Sequence, residues 1–211
     1  MKDRIKVLIA DDHAIVRIGI GSLLAAAKEF KVVGQAEDGQ AAVARTVETE
    51  PDVVIMDLMM PVKDGVEATA EIHTRLPDVR IVLLTTFGTS DGIAHALESG
   101  AAGAVLKSCA ESELIAAIHA VLAGERYVSP DIRRQLKSDP PVPKLTERQR
   151  DILRMISAGS TNKDIATRFG IQVCSVNEQI ENVIHKLGAT NRAEAVAIAL
   201  RKHLLKTEQR T

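Results

Sequence analysis

The stretch Val53-Val54-Ile55-Met56-Asp57-Leu58-Met59-Met60-Pro61 decides the fold. Its first four residues are apolar without alternation, and three of them are β-branched. Such a run reads as a strand buried on both faces, as in the middle of a parallel sheet. It ends on an acid, Asp57. A second run of the same kind, Ile81-Val82-Leu83-Leu84, ends on Thr85 and Thr86. Further strands are expected at 5–10, 31–36 and 104–106. Helical spacing is expected at about 14–27, 40–48, 66–75, 92–99 and 112–123. Five strands alternating with five helices predict βαβ crossovers and a doubly wound α/β parallel sheet covered on both faces.

The pattern then changes. Ser129-Pro130 opens a short polar piece with helical character, and Ser138-Asp139-Pro140-Pro141-Val142-Pro143 cannot continue a helix, because proline removes donors and clashes. The reading is a first domain at 1–125, a linker at 126–144 with its Pro-rich part at about 137–144, and a second domain at 145–211. The second domain shows no strand pattern. It has four helical segments, at about 146–158, 161–169, 173–187 and 191–204, with Gly159, Gly170 and Gly188 between them, where helix ends favour a left-handed residue. A small all-α four-helix domain is expected there.

Composition narrows the function classes. The chain has 211 residues, 45% hydrophobic and 26% charged, with three Phe, one Tyr and no Trp. Its cores must therefore be filled by Ala, Val, Ile and Leu. No apolar run approaches the roughly 18–20 residues that cross a bilayer, and the first ten residues read as a strand rather than a signal peptide. A cytoplasmic protein without a membrane partner is expected. Cys109 and Cys174 are expected to be reduced thiols. The net charge of −1 hides an asymmetry. Residues 1–128 carry 12 Lys and Arg against 19 Asp and Glu, whereas residues 145–211 carry 11 against 7. An anionic partner should therefore meet the second half.

Ligands of open parallel sheets collect at the carboxyl ends of the strands. Asp11 and Asp12 follow the first strand, Asp57 the third, Thr85 and Thr86 the fourth and Lys107 the fifth. A lone Asp at a strand end is usually a turn or a cap, and a lone Lys is usually solvated. The combination at successive strand ends is different. Three carboxylates on one rim repel unless a cation sits among them, and oxygen ligands suit Mg²⁺. A neutralised carboxylate can act as a nucleophile toward phosphorus, with a lysine and a hydroxyl stabilising the transferred oxygens. The six histidines show no pair with convincing metal spacing.

Asp11-Asp12-His13, the Val54–Pro61 run, Asp64-Gly65, Leu84-Thr85-Thr86-Phe87 and Leu106-Lys107 together resemble the receiver domain of the NarL/FixJ type of two-component response regulator, a flavodoxin-like fold. The resemblance covers residues 1–125. It implies that Asp57 is the phosphoacceptor, with Asp11, Asp12, Asp57 and the Met59 backbone carbonyl holding Mg²⁺. Lys107 and Thr85 would bind the phosphoryl group, Thr85 moving as the switch. Gly65 would supply permissive backbone. The chain departs from the pattern at Ala104, where the family usually has an aromatic switch residue. Met56, Met59 and Met60 read as core packing plus a lip over the pocket. The loop 87–92 is expected to be mobile.

Residues 145–204 resemble the LuxR-type helix-turn-helix domain. The carriers are Leu145-Thr146-Glu147-Arg148-Gln149, Gly159-Ser160-Thr161-Asn162-Lys163-Asp164-Ile165-Ala166, Lys186-Leu187-Gly188 and Asn191-Arg192-Ala193. The resemblance implies that the helix at about 173–187 enters the major groove of double-stranded DNA. Asn162, Lys163, Ser175, Asn177, Glu178, Gln179, Asn182, Lys186 and Arg192 are the candidate contacts, with Arg148 and Arg168 as further phosphate partners. The recognition helix is atypical. Asn177 and Gln179 stand where the family has Lys and His, Glu178 and Glu181 add negative charge, and Gln172 stands at the capping serine.

The reading is therefore a response regulator. A histidine kinase or a small phosphodonor phosphorylates Asp57, and the protein dimerises and binds DNA. Beyond its own phosphoryl transfer and dephosphorylation it is not expected to be an enzyme. The alternative is a phosphorylation-controlled protein-interaction module whose recognition helix no longer reads DNA. A metal-dependent phosphatase would need a second acid at position 59, which is Met59.

Overall fold

The computed structural model describes residues 4–86, 90–142, 145–202 and 204–205. The chain divides into two compact units, Met1–Pro140 and Pro141–Thr211. In the first, strands β1 (Ile5–Ala10), β2 (Phe30–Ala36), β3 (Val53–Met56), β4 (Arg80–Thr85), β5 (Gly103–Leu106) and β6 (Tyr127–Val128) form one parallel sheet in the order β2-β1-β3-β4-β5-β6. The run Val53–Met56 is central in the sheet, with all four residues of β3 buried.

Among the described residues six helices cover the sheet: α1 (Ala14–Ala26), α2 (Gly39–Thr49), α3 (Gly65–Arg75), α4 (Ser90–Glu98), α5 (Glu111–Leu122) and α6 (Pro130–Ser138). The strand period of two sorts their side chains. Leu8, Val54, Met56, Ile81 and Leu83 point to one face, where Ala42 and Val43 of α2, Ala68 and Ile72 of α3, Ile93 of α4 and Ile132 of α6 cover them. Val7, Ile9, Val53, Ile55 and Val82 point to the other, under Ile20 and Leu24 of α1 and Leu114, Ile118 and Val121 of α5.

Residues 126–138 depart from the expected linker. Tyr127 and Val128 pair with Gly103 and Ala104 as a sixth strand, and Ser129 caps α6 through its hydroxyl on the Ile132 amide. Ile132 is fully buried in the same core cluster as Ala104. The segment reads as polar because one side chain does most of its burying, while Arg133, Arg134 and Lys137 stay in water. Replacing Ile132 with alanine is expected to destabilise the first unit by about 3 kcal/mol in chemical denaturation. A free linker would show no change.

The expected mobile loop lies partly outside the described residues, at 87–89. From Ser90 onward the chain is already in α4.

The second unit holds α7 (Glu147–Ser157), α8 (Asn162–Phe169), α9 (Val173–Leu187) and α10 (Arg192–Arg201). Thr146 and Gln149 form a capping box at α7, and Thr161 and Asp164 form another at α8. Gly170 and Gly188 end α8 and α9 with φ of 63°, the left-handed caps the sequence suggested. Ile152, Ile165, Val176 and Ile180 form one core cluster, and Leu153, Val183, Leu187, Ala195 and Ala199 another.

Candidate functional site

The sheet order places a topological switch between β1 and β3, and the acids lie at its carboxyl edge. Asp11 and Asp57 are both buried, with 1% and 4% of their surface exposed. Lys107, carried round from β5, places Nζ 2.6 Å from Asp11 Oδ2 and 2.9 Å from Asp57 Oδ2. A bond from the Lys107 amide to the Thr85 carbonyl (2.7 Å) ties the ends of β4 and β5 together. Burial pushes the Asp57 carboxyl above its ordinary value, with Asp11 adding to the rise, while Lys107 and the Met59 amide oppose it. Burial would lower Lys107, but its contacts with Asp11 and Asp57 outweigh that and hold its ammonium above the usual lysine range.

Asp12 is more open, and its carboxylate meets His13 Nδ1 at 2.7 Å. The His13 amide donates to Asp11 Oδ1 at 2.9 Å. One donor atom from each of Asp11, Asp12, His13 and Asp57 lies within 4.8 Å of the others. Spacing among histidines missed His13, because its partners are the acids beside it and across the sheet. The donor set fits a hard divalent cation. Asp11 Oδ2 is buried and, among the described residues, has only its ion pair with Lys107. Asp11, Asp12 and Asp57 would hold the ion.

Thr85 is buried, and its hydroxyl donates to the Thr86 carbonyl at 2.8 Å, within its own loop. The three methionines separate, Met56 and Met60 into the core and Met59 outward with 67% of its surface exposed. Ala104 is fully buried on β5.

The loop after Asp57 holds features that no periodicity announces. Val62 has φ of 63°, and the Lys63 amide donates to the Pro61 carbonyl at 2.7 Å, a γ-turn of the strained hand. The Gly65 amide donates to the Leu58 carbonyl at 2.9 Å. Gly65, expected to supply permissive backbone, is needed for space, and its φ lies outside the left-handed region. A Cβ there would collide with the Asp57 carbonyl oxygen and stand 2.9 Å from the Leu58 Cα.

In the second unit α8, the turn at Gly170 and α9 form a helix-turn-helix. Val176, Ile180, Val183 and Leu187 bury one face of α9. Asn177, Glu178, Glu181 and Asn182 are exposed, while Ser175, Gln179 and Lys186 are half-buried. Several candidate contacts turn to intramolecular partners. Lys186 Nζ donates to Gln149 Oε1 at 3.0 Å, fastening α9 to α7. Arg148 lies over the Phe169 ring, 3.5 Å from its centroid. Asn162 Nδ2 donates to Asn177 Oδ1 at 2.7 Å, and Arg192 Nη1 donates to Asn162 Oδ1 at 3.4 Å. Lys163 is exposed. Gln172 makes no capping bond to α9, as its side chain suggested.

A doubly wound sheet with an acid–acid–lysine cluster on its carboxyl edge, followed by a helix-turn-helix unit, defines a two-domain regulator. Two family models match the chain, the response regulator receiver domain at residues 7–119 and the luxR family of bacterial regulatory proteins at residues 143–199. Response regulator protein VraR of Staphylococcus epidermidis is 36% identical over 206 residues, covering 95% of this chain and 99% of that protein. VraR of Staphylococcus aureus is 34% identical over the same shares. Among solved structures, the two-component response regulator RcsB in complex with DNA is 27% identical with a TM-score of 0.65, covering 95% of this chain and 99% of that one. Response regulator ChrA of a heme-sensing two-component system is 31% identical with a TM-score of 0.58, covering 96% and 99%. The chain belongs to the response regulator family, with a receiver domain and a LuxR-type DNA-binding domain. No helix among the described residues is long and apolar enough to cross a membrane.

Proposed function

We propose that the protein is a phosphorylation-controlled transcription regulator that accepts a phosphoryl group on Asp57 and binds double-stranded DNA through α9. The observation that carries it is Lys107 bridging Asp11 and Asp57 at the switch point of the sheet. A histidine kinase is the natural donor. An Asp57 oxygen attacks phosphorus, and the bond from phosphorus to the donor's imidazole nitrogen breaks. A bound Mg²⁺, held by Asp11, Asp12, Asp57 and the Met59 carbonyl, would neutralise the carboxylates and the incoming phosphoryl oxygens. Lys107 keeps its positive charge and can turn one N–H toward the phosphoryl group. Thr85 would exchange its bond to the Thr86 carbonyl for one to the phosphoryl group, shifting the end of β4. With Ala104 in place of an aromatic ring, that shift must pass through other groups.

The receiver catalyses only its own phosphorylation and dephosphorylation, and the phosphorylated protein works as a cytoplasmic homodimer. RcsB dimers have been solved on DNA, and a two-fold protein matches a two-fold operator. The test is selection of random duplex DNA by the protein with and without beryllofluoride. A two-fold motif enriched with beryllofluoride and lost in Asp57→Asn supports the reading. Absence of any motif would turn the reading toward the protein-interaction module, which the exposed Glu178 and Glu181 would suit.

Met59, exposed and two residues beyond Asp57, would shield the acyl-phosphate from water. Met59→Asn is expected to shorten the acyl-phosphate lifetime several-fold, since a polar side chain there would admit water that methionine excludes. An unchanged decay rate of the phosphorylated protein would remove that role.

A further inference from the structure

We propose that Arg192 and Asn162 fix the direction of the Asn177 amide, so that the recognition helix selects a base with a keto oxygen at that position. The inference rests on the DNA-binding reading above and names what one residue of α9 recognises.

Asn177 Oδ1 accepts from Asn162 Nδ2 at 2.7 Å, a bond between the first residue of α8 and an exposed position of α9. Asn162 Oδ1 accepts in turn from Arg192 Nη1 at 3.4 Å. The second guanidinium nitrogen, Nη2, donates to the Ser160 carbonyl at the same distance, so the Arg192 fork is held from both arms. Arg192 opens α10, and three separate helices therefore meet in one line of polar groups.

A carboxamide by itself can lie either way round, since its two ends are alike in shape and differ only in which one donates. A guanidinium has no such freedom. It carries five donors and no acceptor. It must meet the oxygen of Asn162, which leaves the Asn162 amino group to face Asn177, and Asn177 must receive it with its oxygen. One donor-only group thus orients two amides in series. The end of Asn177 that Asn162 does not hold is its amino group, with two N–H donors.

In the major groove guanine offers N7 and O6 and thymine offers O4 as acceptors, whereas cytosine N4 is a donor and adenine sets its N6 donor beside its N7 acceptor, which leaves the second N–H of an outward amino group unmatched. An outward amino group is matched to guanine or thymine. The two-point match of asparagine to adenine needs the carboxamide oxygen as well as the nitrogen directed at the base, and here the oxygen is turned toward Asn162. Arg192 and Asn162 are positioning residues in this arrangement, acting through Asn177.

Asn162→Asp reverses the relay without removing it. Both oxygens of the carboxylate accept, so Arg192 keeps its bond while Asn177 must turn and offer its amino group inward. The carboxamide oxygen then faces outward and is matched to adenine or cytosine. An acid in the first turn of α8 is also favoured by the helix dipole, so the variant keeps the fold. Asn162→Ala frees Asn177 from either constraint.

The experiment is selection of random duplex DNA, in beryllofluoride, by the full-length wild type, Asn162→Asp, Asn162→Ala and Asn177→Ala. Asn177→Ala identifies the motif position that Asn177 reads, as the one whose preference flattens. At that position the wild type is expected to favour guanine or thymine by about tenfold. Asn162→Asp is expected to favour adenine or cytosine by a similar factor, and Asn162→Ala to show little preference. The same base selected by all three proteins that retain Asn177 would overturn the relay while leaving DNA recognition standing. No motif from the wild type would overturn DNA recognition and the relay with it.

Discussion

Lys107→Met is expected to destabilise the first unit by about 3 kcal/mol at neutral pH, because it leaves two buried carboxylates facing each other with no counter-charge. Methionine keeps the length and most of the volume, so packing changes little and the loss is electrostatic. The figure sits at the lower end for a broken buried pair because the pocket opens to water at Asp12. The pH dependence carries a sign. The Asp57 carboxyl titrates above its ordinary value in the folded protein, so the native state holds that proton more tightly than the unfolded chain. Its ionisation therefore costs stability, in full above the folded pKa and progressively less as pH falls toward the ordinary carboxylate value. Lys107 works the other way: its raised pKa contributes stability that is complete below the ordinary lysine value and is lost only as pH rises through the folded one. Removing it should leave a variant whose deficit shrinks in mild acid. Urea denaturation of both proteins in EDTA, at neutral and mildly acidic pH, measures this. Equal stability at neutral pH would mean that the ammonium is not what balances the pocket.

Gly65→Ala should lower stability by about 3 kcal/mol, the upper end for a single overpacking substitution, and should also slow phosphoryl uptake. The new methyl group would meet backbone, the Asp57 carbonyl and the Leu58 Cα, not a side chain that can swing away. Relief requires the loop from Asp57 to Asp64 to move, and with it the carboxylate opposite Lys107. The same loop already holds Val62 in a left-handed conformation, so it has little slack. Thermal unfolding together with the rate of phosphorylation by a small phosphodonor reads both effects. A variant with wild-type stability and wild-type uptake would show that the loop has room after all. Gly21 is a control on another helix, since a Cβ there meets only the Gln35 side-chain nitrogen, at 3.9 Å.

Much of the pocket is legible in the sequence because its chemistry is tied to strand ends. Four buried residues from Val53 to Met56 announce a central strand, and whatever follows them must emerge at the edge where ligands collect. Asp11, Asp57, Thr85 and Lys107 follow from that rule alone. The helices of the second unit were equally legible, since Thr146 with Gln149, Thr161 with Asp164, and the glycines at 170 and 188 are local signals read within a few residues.

What the sequence could not show was contact between distant parts of the chain. Tyr127 and Val128 become strand only because the edge of β5 stands open beside them, and Ile132 becomes core only because the sheet face near Ala104 has room for it. Lys186 donates to Gln149, 37 residues away, a partner that no local pattern announces. Arg148 likewise turned to Phe169. Residue order by itself determined the class of the fold, the acidic rim at the strand ends and the four helices of the second unit, because hydrophobic period and capping act over one or two turns of chain, while the helix-turn-helix was legible through the resemblance of its motifs. Only the tertiary structure decided that residues 127–138 belong to the first unit, that Gly65 answers to space, and that Arg192, Asn162 and Asn177 form one line, because each is settled by which groups three-dimensional packing brings within reach.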